Sequence, residues 1–163
     1  MSEKKQQQKI LILHDIRSVL NVGAIFRTAD SIGINKIYLT GYTPTPIDRF
    51  GREREDLAKS ALGAEKSVFW ESHKDVLELI NSLKKENFEI LSLEQSKDSI
   101  DYKKAAEIIS DKVVVILGNE TKGIDQFIIN ESDKVVEIPM RGLKESLNVS
   151  VATGILLYRL FDK

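Results

Sequence analysis

The sequence predicts an α/β protein in which a mostly parallel sheet is covered by helices on both faces. Short aliphatic runs alternate with stretches of helical period, the pattern of successive βαβ units. Two of those runs, Lys9 to Leu13 and Val113 to Leu117, are aliphatic without a break from Ile10 and from Val113 onward, as strands buried on both faces are. The 163 residues, 42% of them hydrophobic, suffice to bury one core, and the length falls within the ~100–200 residues usual for one domain.

Taken in order, Lys9 to Leu13 is the first strand and, with Val113 to Leu117, one of the two expected central ones. Val22, Ile25, Phe26, Ala29 and Ile32 recur at three- and four-residue steps. The segment from about Val19 to Ser31 therefore reads as an amphipathic helix, ended by Gly33. Lys36 to Leu39 is the next strand. Gly41 to Asp56, with Pro44, Pro46 and Gly51, is one long irregular stretch, and loops of that length in compact domains tend to be functional or mobile. Ser67 to Trp70 is a weaker strand. Val76, Leu79, Ile80 and Leu83 mark a second helix, with Ser72, three residues before Asp75, as its expected cap. Phe88 to Leu93 and Val135 to Ile138 complete the strands, the last closed by Pro139, which has no N–H to give a ladder. The final helix, about Leu147 to Phe161, carries Leu147, Val151, Ile155 and Tyr158 on one face and Val149, Ala152, Leu156 and Leu160 on another. A helix apolar on several faces is buried on two sides, so the sheet and a second subunit are expected to cover it. With no internal repeat, no low-complexity block beyond Gln6 to Gln8 and no interdomain linker, residues 1–163 read as a single domain.

Composition narrows the chemistry. Twenty-four basic and 25 acidic side chains give a net charge of −1, so any polyanionic partner must meet a local patch. No apolar run approaches the roughly 18 residues a membrane span needs. The polar start, Met1 to Lys9, lacks the hydrophobic core of a secretory signal, which predicts a cytoplasmic protein. Zero cysteines exclude disulfides, thiolate zinc sites and thiol nucleophiles. No further ligands are expected to cluster with His14 and His73, so no metal site is expected. His14, at the end of the first strand, is expected to line the pocket, His73 to start a helix, and Trp70 to join the core.

Three segments gather small and polar residues at strand ends, where open α/β sheets hold ligands. They are Asn21-Val-Gly-Ala-Ile-Phe-Arg27, Leu117-Gly-Asn-Glu-Thr-Lys-Gly123 and Ile138-Pro-Met-Arg-Gly-Leu-Lys-Glu-Ser-Leu-Asn148. Neither Gly-x-Gly-x-x-Gly after the first strand nor Gly-x-x-x-x-Gly-Lys-Ser/Thr occurs, which disfavours a dinucleotide or P-loop enzyme. In order and spacing these segments, the first running on through Asp30 and the third through Ala152, resemble the knotted SPOUT-type RNA 2′-O-ribose methyltransferases, specifically the TrmH branch. The stretch from Pro44 to Lys66, ending Ala-Leu-Gly-Ala-Glu-Lys, resembles a subgroup of that branch. Thr121 departs from the small or acidic residue many relatives carry there. Larger relatives carry an extra N-terminal RNA-binding domain. Here the first strand begins within ten residues of Met1, so substrate selection is expected from the catalytic domain, its loops or a partner protein.

The resemblance implies S-adenosylmethionine as methyl donor, a deep C-terminal trefoil knot, a homodimer with shared active sites, and an RNA substrate, tRNA first and rRNA second. The rival from a different class is a non-catalytic RNA-binding homologue. It further implies Arg27 as the principal catalytic residue. A guanidinium stays protonated at neutral pH, so gripping the substrate phosphate and stabilising a developing alkoxide suit it better than acting as a base. The plainer alternative is a helix arginine paired with an acid. Asn21 is implied to hold loop and substrate, or to cap its helix, and Glu120 to orient substrate or Arg27, or to be a solvated carboxylate. Ser146 and Asn148 position donor and target hydroxyl, cap the last helix, or do both. The donor is expected on Leu117, Gly118, Asn119, Ile138, Met140, Ser146 and Leu147, with Ile138 and Met140 otherwise ordinary core. Arg141 and Lys144, and the loop cations Arg49, Arg52 and Arg54, are candidate RNA-phosphate contacts, with an internally paired loop as the alternative for the last three.

Overall fold

The computed structural model describes residues 6–163, so part of the polar start, residues 1–5, lies outside the described residues. Among the described residues seven strands form one sheet: β1 (Gln8–His14), β2 (Lys36–Thr40), β3 (Trp70–His73), β4 (Glu89–Leu93), β5 (Ile100–Asp101), β6 (Lys112–Leu117) and β7 (Lys134–Glu137). Their order is β3-β2-β1-β6-β4-β7-β5, and every neighbouring pair is parallel. β1 and β6, expected to be central, lie side by side in the middle, with Ile10 paired to Val114 and Leu13 to Leu117.

Alternation along these strands builds two cores. Leu11, Leu13, Val113, Val115 and Leu117 face one side, and pack with α1 (Val19–Ile32), α2 (Glu55–Ala61), α3 (Ala64–Ser67), α5 (Tyr102–Ile108) and α7 (Val149–Phe161). Ile10, Ile12, Val114 and Ile116 face the other, beneath α4 (Val76–Lys85) and α6 (Gln126–Glu131). Both faces are covered, which is why the central runs have no polar break. No helix among the described residues is long and apolar enough to cross a membrane.

Helix ends follow local chemistry. Ser18 caps α1 by accepting from the Asn21 N–H, and Gly33 closes it in the left-handed conformation at φ 71°. Asp75, not Ser72, caps α4 by accepting from the Glu78 N–H, and Ser72 lies within β3. The strand expected at Ser67 to Trp70 instead begins at Trp70, because Ala64–Ser67 winds a helical turn and Trp70 is the first residue to pair, with Ile37. His73 therefore ends a strand rather than starting a helix, and Trp70 is a half-buried neighbour of the core. The irregular stretch gives way to α2 at Glu55. On α7, Leu156, Leu157 and Leu160 are buried against α1 and α5, while Val151, Ile155 and Tyr158 remain 50%, 38% and 44% exposed. One apolar side of that helix is thus packed and the other is open in the single chain.

Candidate functional site

A cavity of about 830 Å³ opens at the carboxyl ends of β4, β6 and β7, the end of a parallel sheet where ligands bind. Leu117, Gly118, Asn119 and Glu120 line it from the loop after β6, and Ile138, Met140, Ser146 and Leu147 line it from the segment after β7. All seven residues expected to hold the donor therefore share one wall system. The sequence reading missed its third side, the loop after β4 from Glu94 to Asp98. That hydrophilic run carries no motif, and its position directly after a buried strand was the only available sign.

Internal contacts stitch these loops together. A Cβ on Gly118 would lie 2.5 Å from Ile124 and 2.9 Å from the Gly123 carbonyl, so glycine is required for the loop to fold on itself. Gly123 has φ +70°, and a Cβ there would meet the Glu94 carboxylate at 2.2 Å. Glu94 accepts from the Ile124 N–H at 2.9 Å and the Gln95 N–H at 2.8 Å, and Gln95 donates to the Glu145 carbonyl at 2.7 Å. Asn119 is committed to structure: Oδ1 accepts from the Thr121 and Lys122 N–H groups, and Nδ2 donates to the Asp15 carbonyl and the Tyr42 hydroxyl. Its contribution to any ligand falls to the main chain.

A polar chain links the three motifs. Asn148 Nδ2 donates to Asn21 Oδ1 at 3.1 Å, and Asn21 Nδ2 donates to Glu120 Oε1 at 3.3 Å. Glu120 also accepts from the Arg17 and Ser18 N–H groups, each at 3.0 Å, at the positively polarised start of α1. Burial pushes the Glu120 carboxyl up, but the hydrogen bonds from Ser18, Arg17, its own backbone and Asn21 together outweigh it and hold the group below its ordinary range. Within the single chain the Glu120 oxygens are taken by α1's first turn and by Asn21, and no hydrogen bond or ion pair joins Glu120 to Arg27 among the described residues. Asn21 does not cap its helix, since Ser18 does. Asn148 does cap α7, accepting from the Ser150 and Val151 N–H groups, while its amide reaches Asn21; Ser146 does not cap it.

Arg27 is exposed, makes no ion pair among the described residues and does not line the cavity of its own chain. The surface pairing weighed for it is therefore absent among those residues. It follows Leu20 and precedes Ser31 on one stripe of α1, and Tyr158 of α7 donates to Ser31 at 3.1 Å. Arg141 and Lys144 lie in the exposed segment 141–148, part of which lines the cavity.

The loop cations divide differently from a single phosphate-facing patch. Arg52 pairs with Asp48 and Arg54 with Asp56, so the internally paired alternative holds for these two, while Arg49 lies over the Phe50 ring at 4.7 Å. None of the three lines the cavity. His14 does not line it either. Asp15 and Asp125 stand beside the His14 ring, which corrects the expectation that no further ligands gather around it: Asp15 is its sequence neighbour, and the fold brings Asp125 in from the start of α6.

The model of the SpoU rRNA Methylase family matches residues 8–158. A tRNA (guanosine(18)-2′-O)-methyltransferase of Aquifex aeolicus is 32% identical over 96% of this chain, which spans 70% of that relative. Among solved structures, an AdoMet-bound rRNA methyltransferase of Sinorhizobium meliloti superposes with a TM-score of 0.84 at 25% identity, over 96% of this chain and 56% of its own. The TrmH/SpoU tRNA modifying enzyme of A. aeolicus does so at 0.82 and 29%, over 98% of this chain and 77% of its own. The chain spans 65% of a further relative from Escherichia coli.

Proposed function

The chain belongs to the SpoU rRNA Methylase family, and we propose that it transfers the methyl group of S-adenosylmethionine to a ribose 2′-hydroxyl of RNA, tRNA before rRNA. The observation that carries this reading is the convergence of the second and third motif segments on one cavity at the carboxyl ends of parallel strands. Its volume lies within the roughly 300–1,000 Å³ of small-molecule sites. Leu117, Ile138, Met140 and Leu147 offer apolar walls for an adenine. The main chain at Gly118 and around Met140 offers the hydrogen bonds a neutral heterocycle needs. Bound there, the donor supplies an electrophilic methyl group on a sulfonium.

The protein's share is orientation and electrostatics. Arg27 keeps its charge, and with no competing acid among the described residues its fork is available to a phosphate and to the oxygen on which charge develops. Asn21, held between Glu120 and Asn148, fixes the start of the helix that carries Arg27. Ser146, exposed at the cavity mouth, is placed to meet the sugar. Arg141 and Lys144 stand beside it for flanking phosphates, and Arg49 offers a further cation from the Gly41 to Asp56 loop.

Arg27 lies outside its own chain's cavity, so the reading includes a homodimer in which it serves the partner's site. The open apolar side of α7 and exposed Leu20 of α1 supply a surface for that contact. A C-terminal knot belongs to the same reading. β7 lies between β4 and β5, and the connection 94–99 that joins those two strands crosses the end of β7, so the chain leaving β7 is read as passing beneath it. Residues 1–163 then act as one catalytic unit, and an RNA substrate suits a cytoplasmic setting.

The test is calorimetry with S-adenosylmethionine followed by mass analysis of nucleosides from RNA incubated with enzyme and labelled donor. Saturable heat and label on 2′-O-methyl nucleosides are expected. Absence of binding at millimolar donor would instead favour a non-catalytic RNA-binding protein, and label confined to base atoms would refute the proposed acceptor.

A further inference from the structure

We propose that the rim at the end of β1 and the entry to α6 form a divalent-cation site, with His14, Asp15 and Asp125 as protein ligands and a zinc-class ion as occupant. His14 Nε2 lies 3.4 Å from Asp15 Oδ2 and 3.6 Å from Asp125 Oδ2, and one donor atom from each residue falls within 4.8 Å of the others. A tetrahedral zinc ion with bonds of about 2.0–2.2 Å holds neighbouring donors about 3.3–3.6 Å apart. The same separations exceed the roughly 2.7–3.2 Å of an N–H···O hydrogen bond.

The imidazole supplies an independent observation. Its residue is only 7% exposed, and Nδ1 is held 2.9 Å from Thr40 Oγ1. That contact fixes the ring with Nε2 turned toward the two carboxylates. In the tautomer that carries its proton on Nδ1, with the Thr40 hydroxyl accepting it, three acceptors face one point, an arrangement that a cation relieves. Anchoring one ring nitrogen to orient the other is how metal-binding imidazoles are set.

Each carboxylate is free for the task. Asp15 uses Oδ1 to accept from the Tyr42 N–H, leaving Oδ2 for the ion. Asp125 stands at the start of α6 and makes no side-chain capping bond. Their side chains are 26% and 52% exposed, so water completes the coordination. One imidazole with two carboxylates suits a borderline divalent ion over a soft one. None of the three residues lines the 830 Å³ cavity, so the site stands apart from methyl transfer. It ties the end of β1 to the start of α6.

The metal-free full chain titrated with Co²⁺ tests the proposal, because tetrahedral Co²⁺ absorbs strongly in the visible. The expected result is one equivalent per chain, a visible band bleached by Zn²⁺, and affinity weaker by about tenfold or more in His14→Gln and Asp125→Asn. Asp125 is exposed and caps nothing, so Asp125→Asn keeps the metal-free melting temperature of the wild type and stays informative even where His14→Gln does not fold. Absence of saturable uptake below millimolar metal would overturn the site, as would uptake unchanged in Asp125→Asn. Nitrogen shifts showing both ring nitrogens of His14 protonated, without metal uptake, would replace it with an imidazolium bridging two carboxylates.

Discussion

Gly23 lies on α1 where α2 crosses it, and Gly23→Ala pits two effects of known size against each other. Alanine is favoured over glycine in a helix interior by about 0.8–1.0 kcal/mol. The added methyl, however, would lie 1.9 Å from Ser60 Oγ, 2.6 Å from the Leu57 carbonyl oxygen and 3.0 Å from the Ala61 nitrogen. The Ser60 hydroxyl can rotate away. The Leu57 oxygen is main chain, so α2 itself must retreat by several tenths of an ångström; overpacking costs about 1–3 kcal/mol, and two main-chain atoms at 2.6 and 3.0 Å place this case in the upper part of that range, ~2–3 kcal/mol. The clash wins, with a net loss of about 1–2 kcal/mol. At about 2–4 °C per kcal/mol for a domain of this size, the variant melts about 2–8 °C below wild type. Thermal unfolding followed by circular dichroism measures this, with Ser60→Gly as background. If the hydroxyl were the whole obstacle, the double variant would melt above Ser60→Gly by the helix preference of alanine; the main-chain clash requires it to melt lower. A Gly23→Ala protein as stable as wild type would refute the close-crossing account.

Arg27→Ala is expected to abolish methyl transfer while leaving donor affinity nearly unchanged, since Arg27 lies outside the cavity; equal loss of both in calorimetry and turnover would make it structural. Arg27→Lys keeps the charge but not the fork, and recovers only part of the rate. Glu120 has its carboxyl held below the ordinary 4.5 in the fold, so its stabilising effect is present above that value and drains away as pH falls through the lower folded one. The urea-midpoint gap between wild type and Glu120→Gln should therefore hold steady from neutral pH to about 5 and then close on further acidification; a gap that persists in strong acid contradicts the assignment. Val151→Glu with Ile155→Glu puts charge on the open side of α7 and should convert a dimer to an inactive monomer in sedimentation, and a fully active monomer would sever that link.

What the sequence disclosed follows from burial. Lys9 to Leu13 and Val113 to Leu117 were readable because a strand covered on both faces needs unbroken aliphatic residues. β5 was not, because its two residues, Ile100 and Asp101, are a strand only by pairing with Val136 and Glu137. α2, α5 and α6 span six or seven residues each, under two turns, too short for a 3.6-residue period to stand out. Ser67 to Trp70 misled because Val68, Phe69 and Trp70 favour a strand by type, yet Ser67 still belongs to the turn of α3 and the strand proper begins only at Trp70. The cavity-lining residues after β6 and β7 were legible through their motifs, whereas Glu94 and Asp125 are placed by contacts distant in sequence, Glu94 to Ile124 and Asp125 to His14.

The chain of hydrogen bonds from Glu120 through Asn21 to Asn148 makes assembly of the site and placement of the proposed interface one problem. Glu120 fixes the first turn of α1, and Asn148 caps α7. Arg27 lies two turns along α1, and Val151 begins the open side of α7 just past its cap. A shift of the loop after β6 is therefore passed to α1, which carries the proposed catalytic cation and does not line the cavity, and to α7, which carries the apolar face and meets the cavity only through Val149 and Ala152 in its first turn. It follows that Asn21→Ala, which cuts the chain at its middle and touches neither the core nor the open apolar face, should lower transfer more than donor affinity. It should weaken dimerisation only modestly, because the apolar residues remain. Loss of donor affinity as large as the loss of turnover would mean that Asn21 shapes the cavity itself.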